Sequence, residues 1–359
     1  MIGRRSLLIA SALTAVRPGH AVEYAAVTPR ALEFPRDHGA HPGHRIEWWY
    51  LTGVLDAAAS LLGIQVTFFR TRTPIDEANP SRFAARQLLI AHAAIADPAR
   101  GALQHDQRIA RIGTGGVTAG AGDTDLALGR WRLARERNGA YRCALDAGSF
   151  ALEFTAMPTQ PLLLQGETGF SRKGHATADG SVPASAYYSQ PQLALRARLT
   201  RDGRSADLTG RAWLDHEWSS TLLAPEAAGW DWVGLNLDDG TALTAFRIRP
   251  RTGDAPLFAY ASLRSPGGAV RTFGPNEVRF TPRAMWTSPR TGANYPVAVR
   301  IQVGSRSFDT EPLMPDQELD SRATTGAVYW EGASRVLENG APVGRGYLEM
   351  TGYVAPMTI

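Results

Sequence analysis

Apolar and polar positions alternate with period two along most of the chain. Gly63-Ile-Gln-Val-Thr-Phe-Phe-Arg70, Ala140-Tyr-Arg-Cys-Ala-Leu145, Phe150-Ala-Leu-Glu-Phe154, Leu193-Ala-Leu-Arg-Ala-Arg-Leu199, Thr241-Ala-Leu-Thr-Ala-Phe-Arg-Ile-Arg249 and Val297-Ala-Val-Arg-Ile-Gln-Val303 all predict strands. A strand with one wet face and one buried face leaves this signature. Asn138-Gly139, Asp202-Gly203, Asp239-Gly240, Gly267-Gly268 and Asn339-Gly340 stand between or beside these runs and predict tight turns. With 36 Gly and 23 Pro there is little room for long helices. The best helical candidate is short, Ser81 to Leu89, with Ser at the N-cap. The fold class is therefore all-β, and strands this numerous close into barrels or sandwiches to hide their edges.

A faint internal repeat accompanies the alternation. Trp49-Tyr-Leu-Thr-Gly-Val-Leu-Asp56 overlays on Trp232-Val-Gly-Leu-Asn-Leu-Asp-Asp239, and Thr67-Phe-Phe-Arg70-Thr-Arg72 on Thr244-Ala-Phe-Arg247-Ile-Arg249. The repeat predicts two related β-barrels, each opening with a Trp-led strand and a hairpin. A length of 359 residues also favours two cores over one. The alternation breaks between Trp218 and Gly229, which sets the expected domains at 22–218 and 219–359.

Residues 1–21 have the form of an export signal: Arg4-Arg5, an apolar stretch from Ser6 to Val16, then Gly19-His20-Ala21 with small residues where a peptidase cleaves. The apolar run is too short to span a bilayer. The paired arginines resemble a twin-arginine signal. The expected location is periplasmic or secreted. Cys143 is the single cysteine, so there is no internal disulfide, and its alternating context predicts a buried small hydrophobe. The formal net charge of +4 comes from scattered arginine. Of 38 Lys and Arg residues only Lys173 is lysine, a bias that reads as coding-sequence composition. No basic run suits nucleic acid.

Two clusters concentrate acids, histidines and aromatics. The first is His38, His41, His44, then Glu47-Trp48-Trp49-Tyr50; the second is Trp213-Leu-Asp215-His216-Glu217-Trp218 followed by Trp230-Asp231-Trp232. Asp215, His216, Glu217 and Asp231 are the candidate catalytic residues. An acid desolvated beside tryptophans has the raised pKa that protonating an alkene demands. A structural corner between the domains is the competing reading of the same residues. Glu47, Trp48, Trp49, Tyr50, Arg70, Tyr188, Trp218, Trp230 and Trp232 are the candidate ligand-binding residues, the aromatic faces suiting a cation or an apolar ligand. Arg70 and Arg247, at matching repeat positions, read equally as structural partners of an acid. The three loop histidines lack metal-ligand spacing, so no metal is expected. His92 and His175 read as structural. No nucleophile elbow, phosphate loop or dinucleotide fingerprint occurs, and no cofactor is expected.

In combination these segments resemble the carotenoid 1,2-hydratase (hydroxyneurosporene synthase) and AttH-like family. The resemblance rests on Phe34-Pro-Arg-Asp-His38-Gly-Ala-His41, Glu47-Trp-Trp-Tyr50-Leu-Thr-Gly53, Ser171-Arg-Lys173-Gly174 and Tyr187-Tyr188-Ser189. It extends through Trp213 to Ser219, Gly229-Trp-Asp231-Trp232, Tyr329-Trp330-Glu331-Gly332 and Gly346-Tyr347-Leu-Glu349-Met-Thr-Gly352-Tyr353. The resemblance implies two lipocalin-like barrels side by side, an apolar isoprenoid or lipid-like ligand, and cofactor-free addition of water to an alkene, a hydro-lyase reaction. Asp215 or Asp231 would be the acid, and His216 or Glu217 would position water. Related lipocalin-like proteins also catalyse pericyclic ring closures by shape and hydrogen bonding alone. The alternatives are a non-catalytic carrier of an apolar ligand and an envelope assembly factor with a membrane or transporter partner.

Overall fold

The computed structural model describes residues 22–357 except 59 and 178–179; the expected signal at 1–21 lies outside the described residues. The described chain is almost entirely strand. The first half forms β1 (Ile46–Ala57), β2 (Ser60–Arg72), β3 (Gln87–Ala96), β4 (Gln104–Arg111), β5 (Thr118–Ala119), β6 (Asp125–Leu128), β7 (Trp131–Arg135), β8 (Tyr141–Asp146), β9 (Ala151–Pro158), β10 (Leu163–Leu164), β11 (Phe170–Arg172), β12 (Ala184–Arg201) and β13 (Arg204–Thr221). The second forms β14 (Ala227–Leu237), β15 (Ala242–Pro250), β16 (Phe258–Arg264), β17 (Val270–Phe273), β18 (Val278–Thr287), β19 (Asn294–Val303), β20 (Arg306–Pro312), β21 (Glu318–Asp320), β22 (Val328–Glu338) and β23 (Ala341–Thr351).

The two halves curl into separate sheets with the same path. One runs β4-β3-β2-β1-β13-β12-β9-β8-β7-β6-β5, the other β17-β16-β15-β14-β23-β22-β20-β19-β18. They are two lipocalin-like barrels, called barrel one and barrel two below. The change of sheet falls between Thr221 and Ala227. Each barrel has its own apolar filling, with Trp49, Leu51, Phe68 and Leu214 in barrel one and Val233, Tyr295, Ile301 and Trp330 in barrel two. A third apolar cluster, including Tyr50, Val54, Trp213, Trp232, Phe246 and Tyr347, lies between them.

Two expectations need correction. Ser81 to Leu89 is not a helix. The Ser81 hydroxyl accepts from the backbone N–H of Phe83 at 3.1 Å, so it closes a turn, and Gln87 onward enters β3. A Ser that caps a helix also caps a turn. The repeat overlay is also off by one residue. Glu47 lies opposite Arg70 on the β1–β2 hairpin, and Asp231 lies opposite Arg247 on β14–β15. Glu47 therefore matches Asp231, and Trp48 rather than Trp49 matches Trp232. Side chains alternate faces, so one residue of slip exchanges the barrel interior for the inter-barrel side.

The barrels touch closely where β2 passes β22. A Cβ on Gly63 would stand 2.4 Å from the Ala333 Cβ and 2.6 Å from the Tyr347 hydroxyl. Gly63→Val is expected to push the barrels apart and cost about 1–3 kcal/mol, the usual range for overpacking. Urea unfolding measures it, and a variant as stable as the parent would mean that the contact is not made.

Candidate functional site

Strand parity sorts the clustered residues into two sites. On β1, Glu47 and Trp49 turn into barrel one while Trp48 and Tyr50 face barrel two. On β13, His216 and Trp218 turn inward while Trp213, Asp215 and Glu217 face outward, with Tyr50 opposite Asp215 and Trp48 opposite Glu217. Barrel two replies with Trp230 and Trp232 from β14, Phe246 from β15, Tyr329 and Glu331 from β22, and Glu349 from β23. Together these residues enclose a cavity of about 320 Å³ between the barrels. Its walls are aromatic: the Trp48 and Trp230 rings stack at 6.4 Å, and Trp232 meets Tyr50 edge-on at 5.4 Å.

Besides Glu47, four carboxyl residues line this cavity. Asp215 accepts hydrogen bonds from the Tyr187 hydroxyl (2.6 Å), the Ser189 hydroxyl (2.6 Å) and Trp213 Nε1 (2.7 Å). Tyr187 in turn accepts from Trp232 Nε1 at 3.0 Å. Burial pushes the Asp215 carboxyl up to about 7 against the pull of its three donors. With both oxygens taken by donors, Asp215 is built as an acceptor that orients Tyr187. Glu217 is ion-paired with Lys173, Nζ to Oε1 2.8 Å, and accepts from the Ser185 hydroxyl.

Glu331 and Glu349 differ from both. They are direct cross-strand neighbours on β22 and β23. Glu331 accepts from the Tyr50 hydroxyl at 2.5 Å, a bond that crosses between the barrels. Burial and the facing Glu349 push Glu331 well above the ordinary carboxylate range. Burial, opposed by a bond from Trp230 and helped by the surrounding acids, lifts Glu349 to about 8. Two desolvated acids this close hold at least one proton at neutral pH. Both line the cavity, Glu331 buried and Glu349 half-buried. Glu349 also matches Glu217 in the repeat, since Glu217 lies opposite Trp48 and Glu349 opposite Trp232.

The second site lies inside barrel one. Glu47 Oε1 accepts from His41 Nδ1 (2.7 Å) and His216 Nε2 (2.9 Å), and Oε2 from Arg70 Nε (2.7 Å). His41 also reaches Asp37 at 3.1 Å. Burial opposes charge on His41, but its two carboxylates outweigh it and raise its pKa. His216 is pushed down to about 4 by burial, so it is neutral. Tyr188 joins it by a 3.1 Å hydroxyl contact to Nδ1 and meets His38 Nδ1 at 2.7 Å. The His41 ring stacks on Trp218 at 3.7 Å, and His216 stacks on Trp49 at 4.4 Å. Ligand atoms of His41, Glu47 and His216 lie within 4.8 Å of one another, the one such grouping among the described residues. Those atoms bond one another, and the Arg70 charge sits on the same carboxylate, so the group is an ion-pair cluster tying the segment before β1 to the barrel.

The candidates divide accordingly. Trp48, Tyr50, Asp215, Glu217, Trp230 and Trp232 converge on the cavity. His216, Trp49, Tyr188 and Trp218 do not: their parity points them into barrel one. Glu47 and Arg70 border the cavity, but their charged ends are committed to each other. Asp231 also turns away, into barrel two, held by Arg247 Nε (2.7 Å), Arg249 Nε (3.0 Å) and the Tyr353 hydroxyl (3.1 Å). Both of its oxygens are thus taken by donors on the barrel-two side, away from the cavity. Glu331, Glu349, Tyr187 and Lys173 were not among the sequence candidates. The recipe of acid beside aromatics was present in Tyr329-Trp330-Glu331 and Tyr347-Leu-Glu349 and would have found the pair. His92, read as structural, bonds Tyr329 across the barrels and meets Thr324 at 2.9 Å.

The family model described as AttH-like matches residues 25–353. A crystal structure described as an AttH from Nitrosomonas europaea is 51% identical, covers 92% of this chain and 99% of that one, and superposes with a TM-score of 0.84. Kievitone hydratase from Nectria haematococca is 14% identical over 93% of this chain and 98% of its own, TM-score 0.65. CghA is 13% identical over 94% and 98%, TM-score 0.53. At those identities the last two share the fold alone. A search of curated proteins found no match.

Proposed function

The chain belongs to the AttH-like family, and from that premise we propose that it encloses an apolar, isoprenoid or lipid-like ligand between its barrels and catalyses cofactor-free hydration or isomerisation of an alkene. The observation that carries this reading is the Glu331–Glu349 pair, two acids facing each other across β22 and β23 in the wall of an aromatic cavity. Glu349 donates its proton to the alkene, the faces of Trp48, Trp230 and Trp232 shelter the cation that forms, and water adds to it, the surplus proton of the added water returning to the Glu349 carboxylate. The kievitone hydratase resemblance is in keeping with such chemistry. The basic and apolar stretch at 1–21 supports action outside the cytoplasm.

The test is incubation with geraniol, a small isoprenoid with a trisubstituted terminal alkene, in H₂¹⁸O and D₂O, with quenching of tryptophan fluorescence as the binding signal. Hydration predicts ¹⁸O and deuterium in an alcohol product, isomerisation deuterium alone. Quenching followed by recovery of unlabelled, intact geraniol after long incubation would instead favour the carrier reading. That reading draws on the aromatic walls alone and leaves the paired acids without a role.

A further inference from the structure

Lys173 is the single lysine among the 38 lysine and arginine residues of the chain. Where the barrels bury an ion pair elsewhere they use arginine, as in Arg70 with Glu47 and Arg247 with Asp231. The one lysine takes a particular place. That place is the wall of the inter-barrel cavity. Lys173 follows β11, is 5% exposed, and is fixed by its backbone N–H to Pro183 at 2.7 Å. Its Nζ lies 2.8 Å from Glu217 Oε1, 4.7 Å from the centre of the Tyr187 ring in barrel one and 4.1 Å from that of Phe246 in barrel two.

An ammonium differs from a guanidinium in two ways that bear on this place. It is compact, and it can lose a proton to become a nucleophilic amine. The structure supplies what the second property requires. Glu217 is within proton-transfer distance, and the carboxylate and two ring faces surround any cation formed on the nitrogen.

We propose that Lys173 is a covalent binding site for apolar aldehydes, which it takes up as a protonated imine. The proposal rests on the reading that the cavity holds an apolar ligand. Glu217 takes a proton from the ammonium, and the free amine adds to the carbonyl carbon. The carbinolamine oxygen leaves as water with a proton returned by Glu217, and the C=N bond forms. The net change is ammonium plus aldehyde to protonated imine plus water, with the Glu217 carboxylate restored as counter-ion and no oxidant or reductant involved.

The probe is citral, an apolar conjugated aldehyde of isoprenoid type, added to the full-length protein with cyanoborohydride, followed by digestion and mass mapping. The expected result is one adduct per chain, on Lys173, formed at least about tenfold faster than at the N-terminal amine, as expected for a carbonyl held beside its nucleophile. Geraniol, the same skeleton without the carbonyl, should slow labelling of Lys173 and leave the N-terminal amine unaffected, and Lys173→Arg should carry no internal adduct. Labelling confined to the N-terminal amine, or none at all, overturns the proposal. If citral still quenches tryptophan fluorescence in that case, the cavity reading stands and only the imine falls; if quenching is absent as well, both fall.

Discussion

Glu349→Gln is expected to lower alkene hydration by about 10²- to 10⁴-fold, the usual contribution of a general acid, and to flatten the dependence of stability on pH even with no substrate present. The second effect follows from linkage. Glu349 is lifted to about 8 in the fold from an ordinary value of 4.5. Between those values the folded protein holds a proton that the unfolded chain releases. The stabilisation from this group is therefore complete below the unfolded value and is lost as pH rises through about 8. Glutamine keeps the shape and has no proton to lose. The thermal midpoint of the parent should fall across that window, and that of the variant should fall less. Parallel curves would show that the proton is held elsewhere. Glu349→Gln should also bring the Glu331 titration down, because the facing Glu349 helps to raise it.

Removing the other buried acid acts on the fold itself. Glu47→Ala should destabilise the protein by about 3–5 kcal/mol, the cost of stranding buried charges. Arg70 and His41 would both lose the same carboxylate. Domains of this kind are stable by about 5–15 kcal/mol, so the loss is a large share. Chemical denaturation of the parent and of Glu47→Ala measures it, and a difference under 1 kcal/mol would mean that the cluster is solvated. The acid limb has a definite sign. Glu47 is held well below the ordinary range because His216, His41 and Arg70 overcome its burial. Its contribution is present above that range and is lost as pH falls through the folded value. His41 has the opposite sign: its contribution is present below the ordinary histidine range and is lost as pH rises above its raised value.

The fold was legible because alternation is a direct imprint of a half-buried strand, and the Asn-Gly and Asp-Gly pairs mark reversals that few other residues make. The helix at Ser81 failed because its only evidence was a cap, and the same hydroxyl closes a turn. The site was half legible for a reason of parity. In Asp215-His216-Glu217 the acids and the histidine must face opposite ways, yet nothing in that window says which way is the cavity. The reading joined all three, and the fold splits them. Asp231 failed similarly: its guanidinium partners Arg247 and Arg249 come from the next strand, and only the register shows that they meet it. Glu331 and Glu349 lie 18 residues apart in sequence and become neighbours only through the β22–β23 hairpin.

Glu217 and Glu349 stand at equivalent places in two halves of one chain, and they have parted company. Two identical barrels meeting face to face would be bound to present the same acid twice, under one set of conditions. A single chain that carries both copies is free of that symmetry. One copy is paired with the Lys173 ammonium; the other faces a second acid, Glu331. Two unlike halves in one chain thus permit a division of labour that a symmetric dimer of barrels could not encode, with an ion pair on one bank of the cavity and a pair of acids on the other.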